Sequence, residues 1–227
     1  MARILITTSL LASAASVAFA DTLHYDAFLA GIRIGTATVT IHRDARRYGI
    51  EGEAAVRGVA SLFSDWQSRF YAHGQIQDHR PKMTSYGYDE REGKRHRVLR
   101  LSNGKTRQTR NGRLGPARPA PDGLDVLTAF FIEPACWDTQ LVHTGRSSYR
   151  IEGTRNPSAP TANDPSPRIR CEFLVRDEDG DRRRVHVIFD TRDGLLVPAR
   201  LRIGGLLRGT IRLRKAEPPA TLVRSSM

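Results

Sequence analysis

Residues 25–41 read YDAFLAGIRIGTATVTI, and this stretch decides the fold. From Ile32 to Ile41, β-branched residues alternate with small or polar ones, which is the period of a strand with one buried face. Ala30 and Gly31 interrupt the alternation where a tight turn would lie. The stretch therefore predicts two antiparallel strands joined by a hairpin.

The same alternation recurs along most of the chain. Nine further runs show it, and Gly, Asp or Asn separates most of them, with turns predicted at Asn103-Gly104, Asn111-Gly112, Asp179-Gly180 and Asp193-Gly194. These runs are Tyr48–Val56, Trp66–Gln77, Met83–Tyr88, His96–Leu101, Tyr149–Glu152, Ile169–Val175, Arg184–Phe189, Val197–Ile203 and Gly209–Leu213. We predict a mainly all-β fold of about a dozen strands, arranged as a curled antiparallel meander, half-barrel or spiral.

Two short apolar segments are candidates to cover the apolar face of this sheet, because no long amphipathic helix is available. The first is Gly58–Phe63. The second lies within GLDVLTAFFIEPAC, residues 123–136, where Asp125 is a predicted N-cap and Pro134 ends the helix. Its apolar residues recur at helical spacing: Val126, Leu127, Phe130 and Phe131. We expect one or two short helices that plug the sheet.

The chain begins with the pattern of a cleaved export signal. Arg3 precedes a short apolar run, and Ala18-Phe19-Ala20 matches a cleavage site. The run is shorter than the roughly 20 residues that span a membrane. An uncleaved anchor or a buried strand is the alternative interpretation. We predict that residues 1–20 are removed, that residues 21–216 form a single periplasmic β domain, and that residues 217–227 are a disordered tail.

The charge of the chain is strongly basic. The formal net charge is +12, and loss of Arg3 with the signal peptide leaves +11. Because an exported protein rarely meets nucleic acid, the expected partner is an anionic envelope component such as lipid head groups or polysaccharide, with no nucleic acid. In the alternative interpretation, the arginines simply cover solvated strand faces.

Cys136 and Cys171 are the two cysteines of the chain. In an exported protein they predict a disulfide that closes a loop of about 36 residues. A free thiol or a catalytic cysteine is the alternative, although no local motif supplies the base that a nucleophilic cysteine needs.

Catalytic motifs are not found in the sequence. It contains no Gly-x-Ser-x-Gly elbow, no phosphate-binding glycine loop and no His-Glu-x-x-His pair. His73 with Asp78 and His79, and the acidic run 177–181, are interpreted as turn residues rather than metal ligands. We expect no catalytic residue, no metal, no cofactor and no enzymatic activity.

Several residues carry a resemblance that spans nearly the whole predicted mature chain. They are Tyr25, Gly31, Gly35, Tyr48, Gly58, Trp66, Gly74, Pro81, Asp190, Pro198 and Gly209, with the segment Asp125–Ala129. In this order they resemble a bacterial periplasmic family, domain-of-unknown-function family number 3108. Asp125–Ala129 resembles its Asp-Pro-Leu-Ser-Ala signature, with Val126 and Thr128 replacing proline and serine.

This resemblance implies a curled half-barrel like those of lipoprotein-carrier and glycolipid-binding envelope proteins, without assigned catalytic residues. Members from some lineages resemble this chain in having one cysteine after the signature and another before the final strands, which supports the disulfide.

We therefore expect a non-enzymatic periplasmic protein that supports envelope integrity and binds a lipid or other amphiphile in the hollow of the sheet. Peripheral membrane association is compatible with this function. The candidate lining residues are Leu62, Phe63, Trp66, Leu127, Phe130 and Phe131. Three alternatives remain: these residues fill a dry core, the protein is a ligand-free envelope scaffold, or it is an envelope hydrolase with a dispersed site. The oligomeric state is not predicted.

Overall fold

A computed structural model describes residues 19–157, 168–192, 195–204 and 208–214. Within these residues the chain forms sixteen strands, one α-helix and one 3-10 helix. The predicted tail and nearly all of the predicted signal peptide lie outside the described residues. The domain boundaries therefore stay predictions.

The first strands are β1 Phe19–Leu29, β2 Ile32–Arg43, β3 Arg47–Val56, β4 Gln67–Gln77, β5 Arg80–Glu92, β6 Arg95–Ser102, β7 Lys105–Arg110, β8 Arg113–Leu114 and β9 Arg118–Pro119. The remaining strands are β10 Leu124–Asp125, β11 Gln140–His143, β12 Ser148–Pro157, β13 Ile169–Asp177, β14 Arg182–Arg192, β15 Leu195–Ile203 and β16 Gly209–Leu213. The 3-10 helix is Gly58–Leu62, and the α-helix α1 is Val126–Phe131.

All of these strands belong to one sheet that is not closed by hydrogen bonds. Neighbours pair antiparallel from β1 to β8 and from β11 to β16. β16 pairs with β1, so the two ends of the described chain meet in the middle of the sheet. β10 pairs with β11 in parallel, and β9 pairs with β7 beside β8. The predicted curled antiparallel meander is confirmed.

The predicted hairpin turns rely on left-handed backbone conformations. Ala30 and Gly31 have φ of 48° and 86°, and Asn111 and Gly112 have φ of 48° and 81°. Positive φ at both central residues is the geometry of the two-residue turn that matches the twist of the flanking strands. These turns therefore set the register of the meander.

Helix α1 lies in the interior and plugs the sheet. Its N-cap is Asp125, whose Oδ1 accepts hydrogen bonds from the backbone N–H groups of Leu127 and Thr128 at 3.0 and 2.9 Å. Thr128 and Ala129 are fully buried. The capped helical plug predicted from the sequence is present.

Two apolar clusters meet at α1. Phe131 packs against Tyr25 with ring centroids 6.3 Å apart, on the side of the cluster built mainly from β1 to β6. Phe130 packs edge-on against Trp137 and Phe173, on the side of the cluster that contains β13 and β14. The plug therefore joins the two halves of the core.

The other apolar segment, Gly58–Phe63, is helical but does not cover the sheet. Leu62 and Phe63 are 81% and 90% exposed. The backbone N–H of Arg57 donates to the carbonyl of Ile34, which places the 3-10 helix beside the start of β2 instead of over the core. Of the two predicted plugs, α1 alone fills this role.

The predicted disulfide is confirmed. Cys136 and Cys171 are bonded with their Cα atoms 5.3 Å apart. Cys171 is buried in β13, while Cys136 follows α1 closely in the chain. The bond therefore ties the exit of the plug to the wall of the sheet. In the described part of the chain, no helix has the length and apolar character needed to cross a membrane.

Candidate functional site

The two edges of the sheet approach each other at a seam, where the turn between β11 and β12 lies against β5 and β6. Gly145 in this turn has φ of +74°. A Cβ atom at this position would lie 2.6 Å from Cδ2 of Leu99 and 3.1 Å from Cε1 of Tyr86. Only glycine combines this backbone conformation with such a close approach. The seam therefore depends on the absence of a side chain at residue 145.

A buried histidine stabilises the same turn. His143 is fully buried, and its ring lies edge-on to Tyr86 with centroids 6.0 Å apart. Its Nδ1 accepts a hydrogen bond from the backbone N–H of Gly145 at 3.1 Å. Burial lowers the pKa of His143, so the neutral ring is favoured. The hydrogen bond to Gly145 closes the turn, and the contact of His143 with Tyr86 packs the turn against the inner surface of the sheet.

A cavity of about 650 Å³, called here the seam cavity, lies beside this turn. One wall is the inner face of β7, with Thr106, Gln108 and Arg110. A second wall is the segment 113–121, which contains β8 and β9 and includes Pro116, Pro119 and Pro121. Leu99, Gly145 and Arg146 complete the lining. The seam cavity is thus an open cleft that is lined by residues near both edges of the sheet.

Strand register places arginines directly opposite one another at this cavity. Arg110 on β7 is paired with Arg97 on β6 and with Arg113 on β8. Like charges that face each other across strands destabilise a sheet. Arg97 has a carboxylate partner, Glu90, at 4.0 Å. For Arg110 the bonded partner is neutral, since its Nε donates to Oε1 of Gln108 at 3.2 Å.

The lining is cationic as a whole. Arg110, Arg113, Arg118 and Arg146 all border the seam cavity, and among its described lining residues there is no carboxylate. Guanidinium groups in such a cluster bind anions by charge-assisted, often bidentate hydrogen bonds. The cavity therefore has the electrostatics of an anion site.

Two polar atoms at the cavity have no hydrogen-bond partner in the described structure. They are Oγ1 of Thr106, a residue that is 8% exposed, and Nε2 of Gln108. Buried polar atoms are nearly always paired, so each unpaired one calls for an explanation such as a bound ligand or water. A ligand with acceptor oxygens would satisfy both the amide and the guanidinium donors.

A second group of buried polar side chains surrounds the start of α1. Oγ1 of Thr128 lies 2.5 Å from Oδ2 of Asp125 and 3.1 Å from the hydroxyl of Tyr48. Burial raises the pKa of Asp125, and burial also raises the pKa of Tyr48 to about 12. These three residues are at most 3% exposed. The group therefore fastens the plug to β3.

The six predicted lining residues are divided between two places. Leu127, Phe130 and Phe131 lie on α1 and pack in the core. Leu62 and Phe63 are exposed on the outer loop, and Nε1 of the nearby Trp66 donates to Glu90 at 2.8 Å. None of the six lines the seam cavity.

The residues of the seam cavity are not predicted from the sequence, because β7 reads KTRQTR and contains no apolar residue. Hydrophobic alternation cannot mark such a strand. A signal was nevertheless present. Asn111-Gly112 predicts a two-residue hairpin, and a hairpin of this type places its flanking residues, Arg110 and Arg113, opposite each other.

The architecture has a counterpart among solved structures. The chain is similar to a beta-barrel-like protein of the domain of unknown function DUF1849 from Brucella abortus, with a TM-score of 0.50 over 86% of this chain and 95% of that chain. The chain with the sequence printed above therefore has a β-barrel-like fold. The two sequences are 9% identical, so the likeness shows the fold alone. No family model matches the chain, and no curated protein matches its sequence.

Proposed function

We propose that this β-barrel-like protein is a non-enzymatic periplasmic protein that supports the cell envelope by binding an anionic amphiphile in the seam cavity. The observation that carries the proposal is the pair Arg110 and Arg113, which face each other at a cavity whose described lining contains no carboxylate.

Electrostatics favours an anionic head group at this site. Two guanidinium groups on opposed strand positions repel each other, and an anion between them converts the repulsion into two attractive contacts. The amide of Gln108 and the hydroxyl of Thr106 add neutral hydrogen-bonding groups beside them. A phosphate or carboxylate group matches this set, because its oxygens accept several hydrogen bonds at once.

The rest of the lining favours an amphiphile over a small inorganic anion. Leu99, Leu114 and three prolines border the same space. A volume of about 650 Å³ lies within the range of roughly 300–1,000 Å³ that is typical of small-molecule pockets. The centre of the sheet is occupied by α1, so the proposed site is the seam and not the central hollow expected from the sequence.

Export is the second part of the proposal. The predicted signal peptide supports a periplasmic location, and a disulfide is compatible with an exported protein. Membership in family number 3108 stays a prediction that rests on the resemblance of Asp125–Ala129 and the spaced glycines, since no family model matches the chain.

The test compares two pairs of opposed arginines. Arg110→Gln/Arg113→Gln removes the pair at the seam cavity, and Arg100→Gln/Arg107→Gln removes a pair that is also directly opposed but lies on the outer face of β6 and β7. Binding of a short-chain phosphatidylglycerol is measured by calorimetry and native mass spectrometry. We expect the seam variant to lose affinity on the order of tenfold or more per arginine, and the outer variant to bind like the wild type.

Stability provides a second readout. Without ligand, the seam variant should unfold at a higher urea concentration than the wild type, because the like-charge repulsion is relieved. Wild-type protein that carries no amphiphile from the periplasm and binds none in vitro would contradict the proposal and favour a ligand-free scaffold. Equal losses in both double variants would show non-specific charge attraction only.

A further inference from the structure

The loop between β3 and β4 exposes large apolar side chains. Val59, Leu62 and Phe63 are 62%, 81% and 90% exposed, and Ile32 beside them is 58% exposed. These four residues are called here the apolar tip. Single exposed apolar residues are normal on protein surfaces, whereas a group of them marks an interaction site.

Hydrogen bonds bring the members of the tip together at one end of the sheet. The backbone N–H of Arg57 donates to the carbonyl of Ile34 at 2.9 Å, so the 3-10 helix lies beside the start of β2, where Ile32 is located. The turn between β5 and β6 lies next to it, because the N–H of Gly93 donates to Oδ1 of Asp65 at 2.7 Å. Three neighbouring turns therefore form one projecting surface.

The apolar tip is held in its exposed position. The N–H of Phe63 donates to the carbonyl of Ala60 at 3.0 Å, and Oγ of Ser61 donates to the carbonyl of Gly58 at 2.7 Å. Oγ of Ser64 donates to Oε1 of Glu92 at 3.2 Å, across to the end of β5. These bonds fix the turn that carries Leu62 and Phe63, and both side chains are exposed in this arrangement.

Basic residues flank the tip. Arg57 directly precedes the 3-10 helix, and Lys94 follows Gly93 in the adjacent turn. Arg95 lies in the same shallow groove as Leu62 and Phe63, together with the carboxylates of Asp65 and Glu92, which accept hydrogen bonds from Gly93 and Ser64. Within the part of the chain that the structure describes, none of these three cations has a carboxylate within 4.0 Å. Their charge is therefore available to an external anion.

The described turns at the opposite end of the sheet are polar instead of apolar. They contain Asp44, Asp78-His79 and Asn103-Gly104. No large apolar side chain of these turns is among the exposed ones. Among the turns that the structure describes, the two ends of the sheet thus differ in chemistry, and the end with the apolar tip presents exposed apolar side chains beside basic residues.

We infer that the apolar tip docks this protein on an anionic membrane surface, with Leu62 and Phe63 inserted among the lipid head groups. The tip projects and consists of four side chains, whereas a stable protein interface buries roughly 800 Å² on each partner. Interfacial insertion needs a smaller area, since apolar burial and attraction of basic residues to anionic lipids act together. This docking is independent of ligand binding in the seam cavity.

The experiment measures sedimentation of the purified mature protein with vesicles. Vesicles of phosphatidylethanolamine containing phosphatidylglycerol are compared with vesicles of phosphatidylcholine alone. The tip variant is Leu62→Ser/Phe63→Ser, and the matched control is Leu141→Ser, which removes a 39% exposed leucine from β11. We expect wild type and control to bind the anionic vesicles and the tip variant to bind on the order of tenfold more weakly.

A series of charge substitutions tests the attraction of the basic residues to anionic lipids. Replacing Arg57, Lys94 and Arg95 by glutamine, one at a time, should weaken binding to anionic vesicles by roughly fivefold per residue at low salt. Because all the substituted side chains are exposed or at the surface, circular dichroism and urea unfolding should match the wild type. The single variant Phe63→Ser repeats the test if the double variant is unstable.

Three outcomes would overturn the inference. The first is wild-type protein that does not sediment with anionic vesicles. The second is a folded tip variant that sediments as strongly as the wild type. The third is self-association in the absence of lipid that the tip variant abolishes, because the tip would then bind a second copy of this chain.

Discussion

The hydroxyl of Tyr48 on β3 lies 3.1 Å from Oγ1 of Thr128 on α1, deep in the interior. Since Thr128 donates its own hydrogen to the carboxylate of Asp125, the tyrosine is the donor in this contact. The pKa of Tyr48, raised by burial to about 12, keeps that hydrogen in place. The relay from Tyr48 through Thr128 to Asp125 joins the plug to the wall of the sheet.

The relay predicts that removing the hydroxyl of Thr128 and removing that of Tyr48 lower the free energy of unfolding by unequal amounts. Thr128→Val leaves the hydroxyl of Tyr48 and Oδ2 of Asp125 without a buried partner, and we expect it to lower the free energy of unfolding by about 2–3 kcal/mol. Tyr48→Phe removes one neutral hydrogen bond and should cost about 1 kcal/mol. Urea denaturation measures both. A larger loss for Tyr48→Phe than for Thr128→Val would show that ring packing, not the relay, dominates.

Asp125 predicts a pH dependence of stability. Burial is the main cause of its raised pKa, so the folded state binds a proton at a pH where the unfolded carboxyl has already lost it. The contribution of Asp125 to stability is therefore complete below the unfolded pKa of about 3.9 and is lost as pH rises through the folded pKa. Asp125→Asn retains a capping side chain and does not titrate.

The stability of Asp125→Asn relative to the wild type should consequently rise with pH across this window and then stay constant. Urea unfolding of both proteins over a pH series measures the difference. If the free energies of unfolding of wild type and Asp125→Asn differed by the same amount at every pH, the carboxyl of Asp125 would titrate at the same pH in the folded and unfolded states.

The disulfide predicts a large stabilisation. Cys136 and Cys171 are 35 residues apart, and closing a loop of this length in the unfolded chain corresponds to about 3–4 kcal/mol in the chain-entropy model. We expect Cys136→Ala/Cys171→Ala to lose about this amount in chemical denaturation. Thiol titration of denatured, unreduced wild-type protein should find no free thiol. Detection of two would contradict the bond.

Two phenylalanines with the same sequence-based prediction should behave differently. Phe130→Ala removes a ring that packs on Trp137 and Phe173, and we expect a loss of about 3 kcal/mol. Phe63→Ala removes a ring that is 90% exposed, and its effect should stay within about 0.5 kcal/mol. Thermal and urea unfolding distinguish the two variants. Equal losses would place Phe63 in a packed environment.

The contrast between these rings shows the limit of pattern-based prediction. Both lie in segments with apolar residues at helical spacing, and both segments are helical in the structure. Spacing shows that a helix has an apolar face, but it does not show what covers that face. The position of the 3-10 helix follows from the backbone bond of Arg57 to Ile34 on β2 and from the bond of the Gly93 N–H to Oδ1 of Asp65, and no local pattern contains these contacts.

The sequence by itself determined the strands with alternating apolar residues, the turns at Ala30-Gly31 and Asn111-Gly112, the capped helix after Asp125 and the pairing of its two cysteines. The strands, the turns and the helix depend on residues that are close in the chain, and two cysteines can form only one pair. Tertiary structure alone decided the pairing of β1 with β16, the parallel pair β10 and β11, and the approach of Gly145 to Tyr86 and Leu99 at the seam. These features join distant segments, so they depend on how the sheet curls and on where its edges meet.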